Sequence, residues 1–122
     1  MGFKRWMWAG VLLLAGSTAA TAEPAAERRC GWLMNETPGN WDLIDRDGRW
    51  TLGVQGGYQA PGLDDLPDMS TAGWIDSNGA HGYGCACLSL VTDKVARKVR
   101  AIRSGGPIPL ARCKSDKALP KP

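Results

Sequence analysis

Apolar and polar residues alternate between Asn40 and Gln55: Trp41 and Leu43 share one face, and beyond Asp47-Gly48 the residues Trp50, Leu52 and Val54 again share one. A period of two is that of a half-buried strand. Asp-Gly between two such runs marks a hairpin, because glycine accepts the positive φ that a tight turn demands. A second hairpin is predicted downstream, with a strand from Gly84 to Val91, a turn at Thr92-Asp93-Lys94 and a strand from Ala96 to Arg103 ended by Ser104-Gly105-Gly106-Pro107. Between the hairpins, Gly56 to Gly84 is rich in Gly, Pro, Asp and Ser, and Gly56-Gly57-Tyr58, Pro61-Gly62 and Asn78-Gly79 punctuate it as turns. Within it, Asp68 or Ser70 is placed to cap a short helix carrying Trp74 and Ile75, stopped by Asn78-Gly79. Pro109 to Lys117 predicts a helical turn that delivers Cys113 to the sheet, and Lys114 to Pro122 reads as a polar tail. The expected fold is mainly β, bordering on α+β: a small antiparallel sheet of two hairpins, one or two short helices and a long central loop.

The N-terminus has a different pattern. Lys4 and Arg5 precede an apolar run from Trp6 to Ala15, and Ala20-Thr21-Ala22 supplies the small residues that a signal peptidase accepts. The apolar run is about half the roughly 20 residues a bilayer span needs. The reading is a signal peptide at 1–22, a flexible leader at 23–29, one domain at 30–117 and a tail at 118–122, in a product that no longer spans a membrane and resides in the periplasm or outside the cell. Loss of Lys4 and Arg5 lowers the formal charge from +3 to +1. A balance that near neutrality excludes a strongly basic nucleic-acid binder.

Beyond the signal, the chain holds nine Leu, four Ile, four Val and no Phe, a thin supply for a core, alongside four Trp and four Cys. Export makes the cysteines structural staples by default. Cys30, Cys85, Cys87 and Cys113 permit three pairings. Cys85 and Cys87 point to the same face of an extended strand, so each reaches a different partner, which favours Cys30 and Cys113 each joining one of them. Closing the longer loop is worth about 4 kcal/mol and the shorter about 3.5 kcal/mol in the chain-entropy model. The alternative is a working Cys85-Ala86-Cys87 motif that binds Cu(I) with His81, Met34 or Met69, or exchanges electrons as a dithiol. A zinc set of His81, Cys85, Cys87 and Cys113 matches no common zinc spacing. Asp45-Arg46-Asp47-Gly48 fails as a calcium loop, since aligning its glycine places Leu43 and Val54 where ligands belong.

The chain has one histidine, His81, so acid-base or triad chemistry runs through it or does without histidine. No nucleophile elbow, zinc-binding helix or phosphate-cradling glycine loop occurs. Asp64, Asp65 and Asp68 form the carboxylate cluster outside the hairpin turn, and such residues usually cap turns. Of the tryptophans, the core needs most; Trp74, in the long loop, is the one placed to meet a ligand. Tyr58, Asp64, Asp65, Trp74 and His81 are the candidate binding residues. Arg97, Lys98, Arg100 and Arg103 read as a charged edge strand protected from aggregation, in preference to an anion or membrane-surface patch.

The segments Cys30-Gly31-Trp32-Leu33, Trp50-Thr51-Leu52-Gly53-Val54-Gln55-Gly56-Gly57-Tyr58 and Gly82-Tyr83-Gly84-Cys85-Ala86-Cys87-Leu88, with Cys113 and Asp116-Lys117-Ala118-Leu119-Pro120, resemble a family of small exported bacterial proteins known as domain of unknown function 4087. The resemblance implies a bacterial source, a Gram-negative periplasm and a self-contained domain, and it carries no functional residues or cofactor. The functional expectation is a non-catalytic binding module that recognises a protein or envelope component through its long loop, inhibitor-like by analogy with small exported lysozyme inhibitors.

Overall fold

The computed structural model describes residues 2–4, 9–16 and 24–122. The Ala20-Thr21-Ala22 cleavage motif lies outside the described residues. Among the described residues no helix is long and apolar enough to cross a membrane.

Six strands carry the fold: β1 (Glu27–Thr37), β2 (Asn40–Asp45), β3 (Gly48–Gly53), β4 (Ile75–Asn78), β5 (His81–Asp93) and β6 (Lys98–Ile108), succeeded by the short helix α1 (Leu110–Lys114). The mainly β expectation is met, and both anticipated hairpins form as β2–β3 and β5–β6. The sheet is mixed, in the order β1-β2-β3-β6-β5-β4, and β1 also pairs with β5 along its length. After the β1–β2–β3 meander, β5 therefore returns by a long connection to lie beside β1, a Greek key. β6 then touches β3 in parallel, at Thr51↔Lys98, and closes a partly open five-stranded barrel, an architecture shared with OB-type barrels.

Alternation sorts the strands into two faces. Leu33, Leu43, Trp50, Leu52, Leu88, Leu90, Val99 and Ile102 fill the interior. On the outer face Trp32, Met34 and Cys85 form a second cluster with Cys113, against which Ile44, Tyr83, Ile108, Leu110 and Leu119 pack. The thin aliphatic supply is thus divided between two small cores, and cross-links hold the second. Cys30–Cys87 joins residues directly opposite each other on β1 and β5, and Cys85–Cys113 ties α1 to β5. This is the division among partners expected of two cysteines on one face.

The structure corrects several expectations. The leader predicted over 23–29 is shorter, since Glu27 to Arg29 belong to β1: Arg29 is 8 % exposed and its Nη1 donates to Asp45 and Asp47, each at 2.9 Å. No helix forms between Asp68 and Ile75: Asp68 folds onto Ser70, Gly73 takes φ 120°, and the β-branched Ile75 pairs with Tyr83 in β4. The Ser104 to Pro107 run does not end a strand. Gly105, at φ 153°, lets β6 lie so close to β5 that a side chain there would sit 2.7 Å from the Cys87 carbonyl oxygen. Nor is the basic strand a solvated edge, since β6 lies between β3 and β5. Its cations have partners: Arg97 stacks on Trp50, Lys98 lies 3.5 Å from the Tyr58 ring centroid, and Arg100 bonds Asp93 at 3.0 Å. The tail beyond residue 117 is docked, with Leu119 in the outer cluster and the Pro120 carbonyl accepting the Trp32 indole N–H at 3.0 Å.

One parallel contact is a weak closure, and other groups reinforce it. Residues 58–61 run into the gap: Ala60 N–H donates to Leu52, Ile102 N–H to Pro61 and the Tyr58 hydroxyl to Val99. At the end of the barrel where β1 begins, Trp50 lies between two guanidinium groups, Arg29 at 4.3 Å and Arg97 at 4.0 Å. Asp45, buried beneath them, accepts from Trp50 Nε1 at 3.0 Å and from Arg29 at 2.9 Å. Burial works against the Arg29 charge, yet its carboxylate partners, Asp45 foremost, outweigh it and hold the guanidinium above its ordinary pKa.

Asp45→Asn is expected to cost about 3 kcal/mol in urea unfolding, because the buried Arg29 loses its one buried counter-charge and keeps only the exposed Asp47 and Glu27, whereas Asp42→Asn, which frees the exposed Arg49, costs less than about 1 kcal/mol. Replacing Cys85 and Cys113 together by serine is expected to cost about 3.5 kcal/mol for a separation of 28 residues, with amide exchange accelerating first in α1.

Candidate ligand groove at the open end of the barrel

The two ends of the barrel differ in chemistry. Where β1 starts, the Arg29–Asp45–Trp50–Arg97 cluster plugs the interior. At the opposite end, where β2 and β5 start, the interior is covered by the connection between β3 and β4, and that cover is grooved. The groove encloses about 630 Å³, within the range of small-ligand sites. Leu63 and Met69, both buried core residues, form its floor, and Trp41 and Trp74, both half-buried, form its aromatic walls.

Each wall has a local cause. Trp41 opens β2 just past the turn at Gly39, which takes φ 75°. Position in the alternating run aims it with Leu43 toward the interior, and its place at the strand end leaves part of the ring uncovered. Trp74 lies on Gly84 of β5: a Cβ there would stand 2.9 Å from the indole ring, so the absence of a side chain is what seats it. Gly73, at φ 120°, turns the chain so that the next two residues diverge, Trp74 into the groove and Ile75 away from it into a second cavity.

Asp68, Ser70 and Asp76 supply polar atoms at the rim, and among the described residues no Lys, Arg or His lines the groove. Asp68 accepts from the Ser70 hydroxyl at 2.6 Å and from the Ser70 amide at 2.9 Å, and these bonds hold its carboxyl below the usual range. Asp76 is exposed on β4. The groove thus presents flat apolar faces, carboxylate acceptors and a hydroxyl, which suits a neutral or cationic, polyhydroxylated ligand and disfavours an anion.

The five candidate binding residues do not converge. Trp74 is in the groove. Asp64 and Asp65 lie on a 3-10 turn, Leu63–Asp65, and Asp65 lines a separate cavity of about 300 Å³ beside Arg103 and Gly105. Tyr58 is held along the β3–β6 seam by its bond to Val99 at 2.8 Å. His81 starts β5, half-buried, with Nδ1 facing Asn35 Oδ1 at 3.1 Å. Trp41 and Asp76 are among the groove residues that pattern reading missed; for Trp41 the available signal was an aromatic at the very end of an alternating run. For the copper or thiol-redox alternative nothing speaks: all four cysteines are disulfide-bonded, and Met34 and Met69 sit in different clusters.

Residues 24–120 match the family described as protein of unknown function (DUF4087), and the chain belongs to it. No curated protein and no solved structure matches the chain.

Gly84→Val tests how Trp74 is seated. The added branch is expected to lift the indole out of the groove, shifting tryptophan emission to the red at a stability cost of about 1–3 kcal/mol from overpacking. Unchanged emission would show that Trp74 does not depend on this glycine.

Proposed function

For this member of the DUF4087 family we propose an exported, non-catalytic binding module that takes the end of a cell-envelope glycan into the Trp41–Trp74 groove. The observation that carries the reading is that two half-buried tryptophans, Trp41 and Trp74, line one groove together with carboxylate and hydroxyl acceptors. Sugar rings offer an apolar C–H face to an aromatic plane and hydroxyl donors to carboxylates, so both kinds of group are used at once. A groove of this size also suits a small ligand better than a folded protein, whose interface would need about 800 Å² on each side. Export rests on the signal sequence at 1–22, and the disulfides fit an oxidising compartment.

The groove is built on a stapled barrel by a connection of turns, an arrangement in which a rigid frame holds a recognition surface. Its carboxylates lie at an exposed rim, where they act as hydrogen-bond acceptors.

Calorimetric titration with soluble N-acetylglucosamine oligomers tests the proposal. Saturable binding is expected, weakened at least about tenfold in Trp74→Ala by loss of one stacked ring, roughly the 1.4 kcal/mol that a tenfold change represents. Asp76→Asn is expected to weaken binding less and to leave unfolding unchanged. Absence of binding, or equal binding by Trp74→Ala, would overturn the assignment.

A further inference from the structure

The outer face holds a second cavity, about 540 Å³, between β4 and the docked C-terminal segment. Its inner wall is apolar. Trp32, 2 % exposed, and Tyr83 meet edge to face with centroids 5.5 Å apart, and Ile75 and Leu119 complete the lining. Its rim is cationic: Lys114, Lys117 and Lys121 border the cavity, and all three are exposed. The ion pairs of the described residues engage Arg29, Arg49, Lys94 and Arg100 and none of these lysines. The one acidic side chain at the rim, Asp116, turns back on its own chain, where Oδ1 accepts the Ala118 N–H at 2.9 Å.

An apolar slot edged by three lysines on one short segment is complementary to a molecule with a greasy body and an anionic head. We propose that this cavity binds a free alkyl carboxylate of medium chain length, its chain against Trp32, Tyr83 and Leu119 and its head group among Lys114, Lys117 and Lys121. The two halves of the site come from different causes. The aromatic wall belongs to β1 and β5. The lysines are held over it by Cys85–Cys113 and by the Trp32 indole bond to Pro120, at 3.0 Å. Lysine suits this role, since a point charge on a flexible stem tracks a mobile head group without fixing its orientation. The inference does not rest on the groove at the barrel end: Trp74 and Ile75 are consecutive yet line different cavities, so a glycan and an alkyl carboxylate would occupy opposite sides of β4.

The test is titration of the full chain with octanoate, monitored through the indole N–H resonance of Trp32 in proton–nitrogen spectra. Octanol and octyltrimethylammonium serve as neutral and cationic controls, and anionic phospholipid vesicles as a membrane-surface arm. The expected result is a saturable shift of the Trp32 resonance by octanoate at least about tenfold tighter than by either control, with no binding to the vesicles. Charge reversal in Lys114→Glu, Lys117→Glu and Lys121→Glu combined is expected to abolish the preference for octanoate over octanol. Tyr83→Ala is expected to weaken both ligands. Equal affinity for all three probes, an unmoved Trp32 resonance, vesicle binding without octanoate binding, or a preference that survives charge reversal would each overturn the proposal.

Discussion

The barrel depends on how its poorest junction is closed. β1, β2, β3, β5 and β6 pair in a ring, but β3 and β6 share a single parallel contact. A sheet that curls this far and then stops exposes unpaired backbone and opens the interior to water. The protein closes the gap with side chains and a borrowed segment. Trp50 is clasped by Arg29 from β1 and by Arg97 from the turn before β6, so one indole links both sides of the junction. Arg97 also donates to the Asp47 carbonyl, and its own carbonyl accepts the Thr51 N–H at 3.0 Å. It does so from φ 56°, the one positive φ outside glycine among the described residues. Residues 58–61 supply further backbone partners to Leu52, Val54 and Ile102.

That solution gives the molecule a polarity. Charged groups concentrate at one end of the barrel, where Arg29 pairs with Asp45 and Asp47. The connection that fills the seam then continues across the opposite end, where it carries turns in place of a helix. Tryptophans, too large to be covered there, remain partly open to solvent. The groove is therefore a by-product of how the interior is sealed, and its aromatic walls are core residues that the cover does not fully reach.

The outer face shows the same economy. A chain with so few aliphatic residues cannot fill one large core, and it forms a second small cluster by folding its C-terminal segment back over β1 and β5. Such a flap has little local drive to stay in place, since α1 spans only Leu110–Lys114 and isolated helices of that length do not persist in water. The Cys85–Cys113 bond and the indole of Trp32 hold it down, and the lysines of this segment are consequently arrayed around an apolar slot.

Sequence alone determined the features that depend on neighbouring residues. Alternation and Asp47-Gly48 specified the β2–β3 hairpin, and the common face of Cys85 and Cys87 specified two different disulfide partners. The features that escaped it depend on contacts between distant segments. Arg29 looks like part of a solvated leader until Asp45 and Trp50 lie beneath it, the Ser104 to Pro107 run looks like a strand stop until β5 passes close enough to require Gly105, and Ile75 looks helical until Tyr83 offers it a ladder. Trp41 becomes a groove wall only because the barrel ends where it does. Local propensity is a matter of a few tenths to one kcal/mol per residue, roughly, whereas burial of a side chain or satisfaction of a buried charge amounts to several. Wherever the two disagreed in this chain, the tertiary contact decided.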